Sequence, residues 1–423
     1  MRKIKKISSV RGTINVPADK SISHRLFIFS AISSEASELL IDKIGEDVKS
    51  TISALVELGT SIESEGNVYR VLPHRFSSPI KPIYMGNSGT TTRLLTGLLA
   101  AYRPHIDVVF YGDSSLSRRP MRRVIEPLQR VGAKIFARDD NYLPMFVKGD
   151  ALRPIDYTLP IPSAQVKSAL ILAALFGEST SYIKEPILSR DHTERFLSYM
   201  GINIYRDDDV IIVNPGVPRG IKYKIPGDFS QAAFFITLAL LVKDSKLLIG
   251  NVNLNPTRIG FLNKVLEMGA DIDVNIKEKK PEPVGELVIR GGKRLKGITI
   301  DKKDVPLMID ELPLFAVLSL VSEEKITIRG AEELRVKESD RIRVVVEEFS
   351  KLGIKIEELP DGFLVYPSSV KGGVKVSSHG DHRVAMALSI LGMMADEPVL
   401  VEGDEAVSIS YPDFFDDIEA ITL

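Results

Sequence analysis

Apolar residues along this chain fall into two alternating patterns. In the first, a stretch with one apolar helical face runs into the sequence apolar–Gly–x–x–Ile. "VKSTISALVE" precedes "LGTSI" (58–62), "RRVIEPLQR" precedes "VGAKI" (131–135) and "HTERFLSY" precedes "MGINI" (200–204). "RIGFLNKVLE" and "RIRVVVEEFSK" likewise precede "MGADI" (268–272) and "LGIKI" (352–356). The one-sided stretches predict amphipathic helices. Each glycine predicts a left-handed residue that stops its helix, and the apolar residues beyond it predict a strand. In the second pattern, helices rich in small apolar residues open on polar ones: 20–33, 87–100, 163–175, 228–241, 310–320 and 381–394. These are apolar nearly all round, so they belong inside a core.

The two patterns interleave at intervals of roughly 70 residues, and the chain of 423 residues holds six such units, the last ending in the helix "YPDFFDDIEAITL" (411–423). Each unit reads as strand, buried helix, strand, amphipathic helix, strand or strands, with "PIYMG", "DVVFYG", "YRVLP" and "ELVIRG" among the strands. Repeated mixing of both element types predicts an α/β (α+β) fold rather than a solenoid of helix pairs. The length predicts two or three domains.

Composition narrows the function. With 44% apolar and 26% charged residues and a net charge of −1, the chain has no overall basic field to draw in nucleic acid. It has no cysteine, which excludes a disulfide framework, a cysteine-ligated zinc and a thiol nucleophile, and fits a reducing compartment. The basic N-terminus "MRKIKKISSVRGTINV" lacks the apolar segment of a secretory signal. The longest apolar run, 232–242, is about half the roughly 20 residues a membrane span needs. The expectation is a cytoplasmic protein with no membrane partner.

The polar starts of the buried helices carry the candidate chemistry. A helix N-terminus presents unpaired N–H groups and a partial positive charge that together attract anions. Several starts add cations or hydroxyls: Lys20, Ser21 and Arg25; Asn87, Thr90 and Arg93; Ser163, Gln165 and Lys167; His382 and Arg383. Singly, these read as ordinary N-caps. Several sharing a cleft would hold a small polyanion. "GNSGTTTR" (86–93) lacks the lysine of a nucleotide phosphate loop. No dinucleotide fingerprint or zinc-protease helix is present, and His379 and His382 read as a structural pair. "RVKESDRIR" (335–343) packs six charges of both signs into one short run, which alone reads as a solvated helix start.

"PADKSISHR" (17–25), "GNSGTTTRLL" (86–95), "RRPMRRVIEPL" (118–128), "SAQVKSALILAAL" (163–175), "SRDHTERF" (189–196), "RVKESDRI" (335–342) and "DHRVAMA" (381–387) resemble, in order, the motif set of the 5-enolpyruvylshikimate-3-phosphate synthase family; "SYPDFF" (410–415) resembles its ending. The resemblance implies two domains of three β-α-β-α-β-β units each, joined by a two-strand hinge: 1–17 with 229–423, and 18–228. The crossings are expected near 15–19 and 225–230, with a cleft that closes on ligand. It implies transfer of the enolpyruvyl group of phosphoenolpyruvate to the 5-hydroxyl of shikimate 3-phosphate with release of phosphate, without metal or cofactor, by a monomer.

Residue by residue, Lys20, Gly89, Arg119, Arg341 and Arg383 match phosphoenolpyruvate-binding positions. Ser21, Arg25, Ser163, Ala164, Gln165, Arg190, Asp310 and Lys337 match shikimate 3-phosphate positions. Lys20, Asp310 and Glu338 match the catalytic groups. Asp310 is expected to take the hydroxyl proton, and Glu338 to protonate the methylene carbon.

Several departures stand out. Ala18 replaces a usual glycine. Ala164 replaces a serine, so one phosphate-binding hydroxyl is lost, and Arg190 is expected to stand in for it. Ile409 sits where a phosphoenolpyruvate-binding lysine is usual. Gly89, the glycine that leaves room for glyphosate, is kept, although Thr91 and Thr92 beside it are atypical. The alternative reading is the related transferase acting on UDP-N-acetylglucosamine, which commonly uses a loop cysteine that this chain lacks. A non-catalytic binder of phosphorylated metabolites gains nothing from Asp310 and Glu338 placed among the cations.

Overall fold

The computed structural model describes residues 1–422; Leu423, the final residue of the expected C-terminal helix, lies outside them. Two kinds of helix alternate along the chain: α1 (Lys20–Ala31), α2 (Glu46–Glu57), α3 (Gly89–Ala100), α4 (Arg122–Arg130), α5 (Ala164–Ala174), α6 (His192–Tyr199), α7 (Phe229–Leu241), α8 (Gly260–Glu267), α9 (Leu312–Leu318), α10 (Arg341–Lys351), α11 (His382–Met394) and α12 (Phe414–Ile421). Even-numbered helices bury one face. The glycines after α2, α4, α6, α8 and α10 all have positive φ, from 85° to 108°, as the helix-stop reading requires.

Odd-numbered helices are buried almost completely. In α1, α3 and α5 the positions left partly open are Lys20 and Ser21, Thr90 and Arg93, and Ala164 and Gln165. These are the first-turn polar positions and their neighbours, so helices built for the core surface only at their N-terminal ends. The helix expected from residue 310 begins instead at Leu312. Pro313 has no N–H to give and its fixed φ suits the first helical turn, which leaves Asp310 in the preceding turn.

The strands repeat one topology. Ile83–Tyr84, Asp107–Tyr111, Tyr142–Lys148 and Lys134–Arg138 lie side by side in that order, the first pair parallel and the others antiparallel. The parallel pair needs a long crossover, and α3 supplies it. The sheet of Asp156–Thr158, Ser181–Lys184, Val210–Val213 and Ile204–Asp207 repeats the order, as does that of Ile298–Ile300, Ile326–Ile328, Gly362–Val365 and Ile356–Leu359.

 The first strand is exchanged at two places. Arg11–Ile14, ahead of α1, pairs in parallel with Lys246–Asn253 after α7, while Lys222–Lys224, ahead of α7, pairs in parallel with Ser37–Leu40 after α1. In the sixth sheet Lys375–Ser377 runs parallel to Val399–Glu402, whose other edge takes Arg2–Ile4.

The chain divides into two compact units. The first is Met1–Pro17, Pro226–Lys279 and Pro283–Leu423; the second is Ala18–Ile225 with Lys280–Glu282. Residues 226–228 therefore group with the first unit, and 280–282 with the second. Each unit has its own core, with Phe234, Phe315 and Leu388 in the first and Phe27, Leu95 and Leu170 in the second. Among the described residues no helix is long and apolar enough to cross a membrane.

Close backbone packing aligns two of the polar helix starts. A Cβ on Gly97 of α3 would lie 2.1 Å from the Ala169 carbonyl oxygen of α5. Gly97→Ala is expected to lower stability by about 1–3 kcal/mol through overpacking, read as a fall in the urea midpoint at unchanged slope.

Candidate active site

In the second unit, Asp19 caps α1 by accepting from the Ile22 N–H at 2.9 Å, and Lys20 donates to Asp47 Oδ2 of α2 at 3.0 Å. Arg25, one turn further on, is buried. It donates to the Ser21 carbonyl, Thr193 Oγ1 and Ser168 Oγ, each at 2.8 Å. Burial, with the positive charge of Arg190 adding to it, pulls Arg25 down to about 10, against the opposing pull of Glu194 and Asp19. Two guanidinium groups thus repel one another at the α1 start, an arrangement suited to an anion. Behind them His24 is buried and held neutral, its pKa lowered to about 3 chiefly by desolvation. Its Nδ1 and Thr91 Oγ1 each lie 2.6 Å from Thr51 Oγ1, which links α1, α2 and α3.

The α3 and α5 starts meet through side chains. Arg93 donates to Gln165 Oε1 at 2.6 Å, and Gln165 Nε2 donates to Thr90 Oγ1 at 2.9 Å. Ser163 caps α5, accepting from the Val166 N–H at 3.4 Å. Ala164 follows it with no hydroxyl, and its carbonyl accepts from Ser168 at 2.6 Å. A Cβ on Gly89 would meet Arg93 Nη1 at 2.8 Å and Arg119 Nη1 at 3.6 Å. Gly89 therefore marks the point where two guanidinium groups crowd the α3 N-terminus.

In the first unit, Asp310, Lys337, Glu338, Arg341 and Arg383 come together. Arg341 is buried among three carboxylates. Its Nε donates to Asp381 Oδ2 at 2.7 Å, its Nη2 to Glu338 Oε2 at 2.5 Å and its Nη1 to Asp310 Oδ1 at 3.4 Å. Burial opposes its charge, but Asp381, Glu338 and Asp310 together raise its pKa above the ordinary value. Arg383 Nε lies 3.6 Å from the same Asp310 oxygen. Its buried Nη1 has no hydrogen-bond partner among the described residues, an arrangement that favours a bound acceptor. Lys337 is pulled below the usual ammonium range by burial and by Arg341, against Asp310, Glu338 and Glu333.

The rest of the 335–343 run is scaffold. Arg335 donates to Asp340 at 3.0 Å and to the carbonyls of Leu359 and Pro360, Asp340 caps α10, and Arg343 pairs with Glu347 on the surface. Ile409 ends a short 3₁₀ turn, Asp404–Ile409, and offers no charge.

Three contributors lay outside the predicted site. Asp381 was legible as the residue opening "DHRVAMA". It caps α11 by accepting from the Arg383 N–H at 2.9 Å while its other oxygen holds Arg341. Arg93 was legible as a cation one turn into α3. Asp47, the partner of Lys20, had no sequence signal.

The family model described as EPSP synthase (3-phosphoshikimate 1-carboxyvinyltransferase) matches residues 4–418. This chain belongs to that family. The 3-phosphoshikimate 1-carboxyvinyltransferase of Thermotoga neapolitana is 45% identical over 422 residues, all of both chains, and that of Bacillus cytotoxicus is 40% identical over 427 residues, again all of both. An EPSP synthase structure from Acinetobacter baumannii superposes with a TM-score of 0.88 at 36% identity, covering 100% of this chain and 98% of that one. The enolpyruvyl transferase NikO of Streptomyces tendae, at 15% identity and a TM-score of 0.79 over 99% of this chain and 96% of that one, shares the fold. These full-length relatives carry the 3-phosphoshikimate name and not that of a transferase acting on UDP-N-acetylglucosamine.

Proposed function

We propose that this chain transfers the enolpyruvyl group of phosphoenolpyruvate to the 5-hydroxyl of shikimate 3-phosphate. The observation that carries the reading is the convergence of Arg341 and Arg383 on Asp310, with Glu338 also held by Arg341, in a chain whose relatives bear the transferase name over their full length.

Both substrates are polyanions, and planar guanidinium forks pair carboxylate and phosphate oxygens two at a time. Lys20, Arg119, Arg341 and Arg383, with Gly89, are assigned to phosphoenolpyruvate. Ser21, Arg25, Ser163, Ala164, Gln165, Arg190, Asp310 and Lys337 are assigned to shikimate 3-phosphate. A proton goes to the methylene carbon, from Glu338, with Lys20 as the alternative donor. The adjacent carbon turns cationic and the 5-hydroxyl oxygen bonds to it, giving its proton to Asp310. The bond to the phosphate oxygen then breaks, phosphate leaves with that electron pair, and the new methyl group returns its proton. Fixed cations stabilise the departing charge.

Arg341 Nη2 donates to Glu338 Oε2. An anionic substrate that takes the same guanidinium releases Glu338 for proton delivery. We also read the enzyme as cytoplasmic, which fits a chain without cysteine, and as a monomer; a dimer mass by light scattering would contradict the second part.

The test of the reaction is incubation with both substrates, followed by phosphate release and product mass. The test of the Gly89 assignment is inhibition. Gly89→Ala puts a methyl group against Arg93 and beside Arg119. It is expected to raise the inhibition constant for glyphosate, competing with phosphoenolpyruvate, by about tenfold or more, the equivalent of ~1.4 kcal/mol of steric cost. Inhibition equal to that of the unaltered enzyme would contradict the assignment.

A further inference from the structure

We propose that Lys167, Glu185 and Ser189 form a positioning device for Arg190, the guanidinium assigned to replace the hydroxyl missing at Ala164. The inference rests on the reading above that Arg190 takes an anionic group of shikimate 3-phosphate.

Lys167 is an ammonium with no exposed surface, inside α5. Its Nζ lies 3.0 Å from each oxygen of the buried Glu185 and 2.9 Å from Glu194 Oε1. It also donates to the Ser189 carbonyl at 3.3 Å. Glu185 accepts from the Ser189 N–H at 3.1 Å and from the Ser189 hydroxyl at 2.5 Å. Every polar group of Ser189 is therefore held, and its carbonyl belongs to the peptide plane that begins Arg190. Lys167 also belongs to the helix turn that carries Ser163 and Gln165, since its N–H donates to the Ser163 carbonyl at 3.0 Å. One ammonium thus ties the substrate-facing turn of α5 to the backbone of Arg190. Arg206 adds a further pairing to Glu185.

Two arguments favour orientation over plain stability. Well-packed apolar residues serve stability as well as a buried ion pair does, but they cannot direct hydrogen bonds at a single peptide group. Arg190 also bears its charge on Arg25. The place of the Arg190 backbone therefore helps set how strongly the two guanidinium groups act on each other.

The test is the steady-state kinetics of Lys167→Met, Ser189→Ala, Arg190→Ala and Ser189→Ala/Arg190→Ala, with each substrate varied in turn. Lys167→Met is expected to raise the KM for shikimate 3-phosphate by about tenfold and Ser189→Ala by about threefold, as lost bonds to charged groups do. Their kcat and their KM for phosphoenolpyruvate should stay within about twofold of the parent, and adding Ser189→Ala to Arg190→Ala should change nothing further. If Lys167→Met fails to fold by circular dichroism, Ser189→Ala decides alone. An unchanged KM in Ser189→Ala, or an increase that persists in full in the Arg190→Ala background, overturns the positioning role while leaving the Arg190 assignment intact. An unchanged KM in Arg190→Ala itself overturns that assignment, and this inference with it.

Discussion

Glu338→Gln is expected to lower kcat by about 10²–10⁴, the range that a positioned acid contributes. The amide keeps the size of the side chain and an oxygen to face Arg341, but it cannot deliver a proton. Arg341 retains Asp381 at 2.7 Å and Asp310 at 3.4 Å, so the fold around it should survive and shikimate 3-phosphate should still bind. Steady-state kcat together with calorimetric affinity separates the two effects. Full turnover in this variant would remove Glu338 from proton delivery and leave Lys20 as the candidate.

Asp310→Asn is the second large effect. Asp310 is the group on which Arg341 Nη1 and Arg383 Nε converge, at 3.4 and 3.6 Å. A carboxylate so placed can accept the hydroxyl proton as the new bond forms, and an amide cannot. The expected loss in kcat is again about 10²–10⁴, with a much smaller change in substrate affinity. Unequal falls are informative: a loss mainly in kcat marks a transition-state role, whereas a loss mainly in KM marks uniform binding. A variant with normal kcat and a raised KM would move Asp310 from catalysis to substrate binding.

Much of this fold is written in local pattern. The buried helices are legible because runs such as "AAFFITLALLV" leave no polar face, and α2, α4, α6, α8 and α10 because a glycine follows each apolar stripe. The exchange of Arg11–Ile14 with Lys222–Lys224 is not legible. Both are short strands, and what decides their partner is which sheet edge lies open in three dimensions. α9 starts two residues later than the pattern predicts, because residues 310–311 look like other helix starts while Pro313 sets the first turn.

The site was legible in its cations and less so in its anions. Arg341 and Arg383 follow from a motif, but Asp381 serves at once as helix cap and as partner of Arg341, and a cap alone explains an aspartate there. Asp47 and Glu185 reach their lysines from α2 and from a loop, across distances in sequence that no periodicity encodes. The resemblance to the family assigns most of the candidate positions, and the structure adds which groups hold them.

The central proposal is that this chain carries out one enolpyruvyl transfer and that Arg119 and Arg383 are both needed for it. The most direct measurement is single-turnover phosphate release with product mass read from the same quenched samples, for the parent and for Arg119→Ala and Arg383→Ala, one substitution in each unit. The account predicts one phosphate for each molecule of shikimate 3-phosphate that gains the enolpyruvyl group, and a rate lowered by at least about tenfold in both variants, as expected when a charge-assisted contact to the reacting anion is lost. Phosphate released without that gain in mass, or an undiminished rate in either variant, would contradict it.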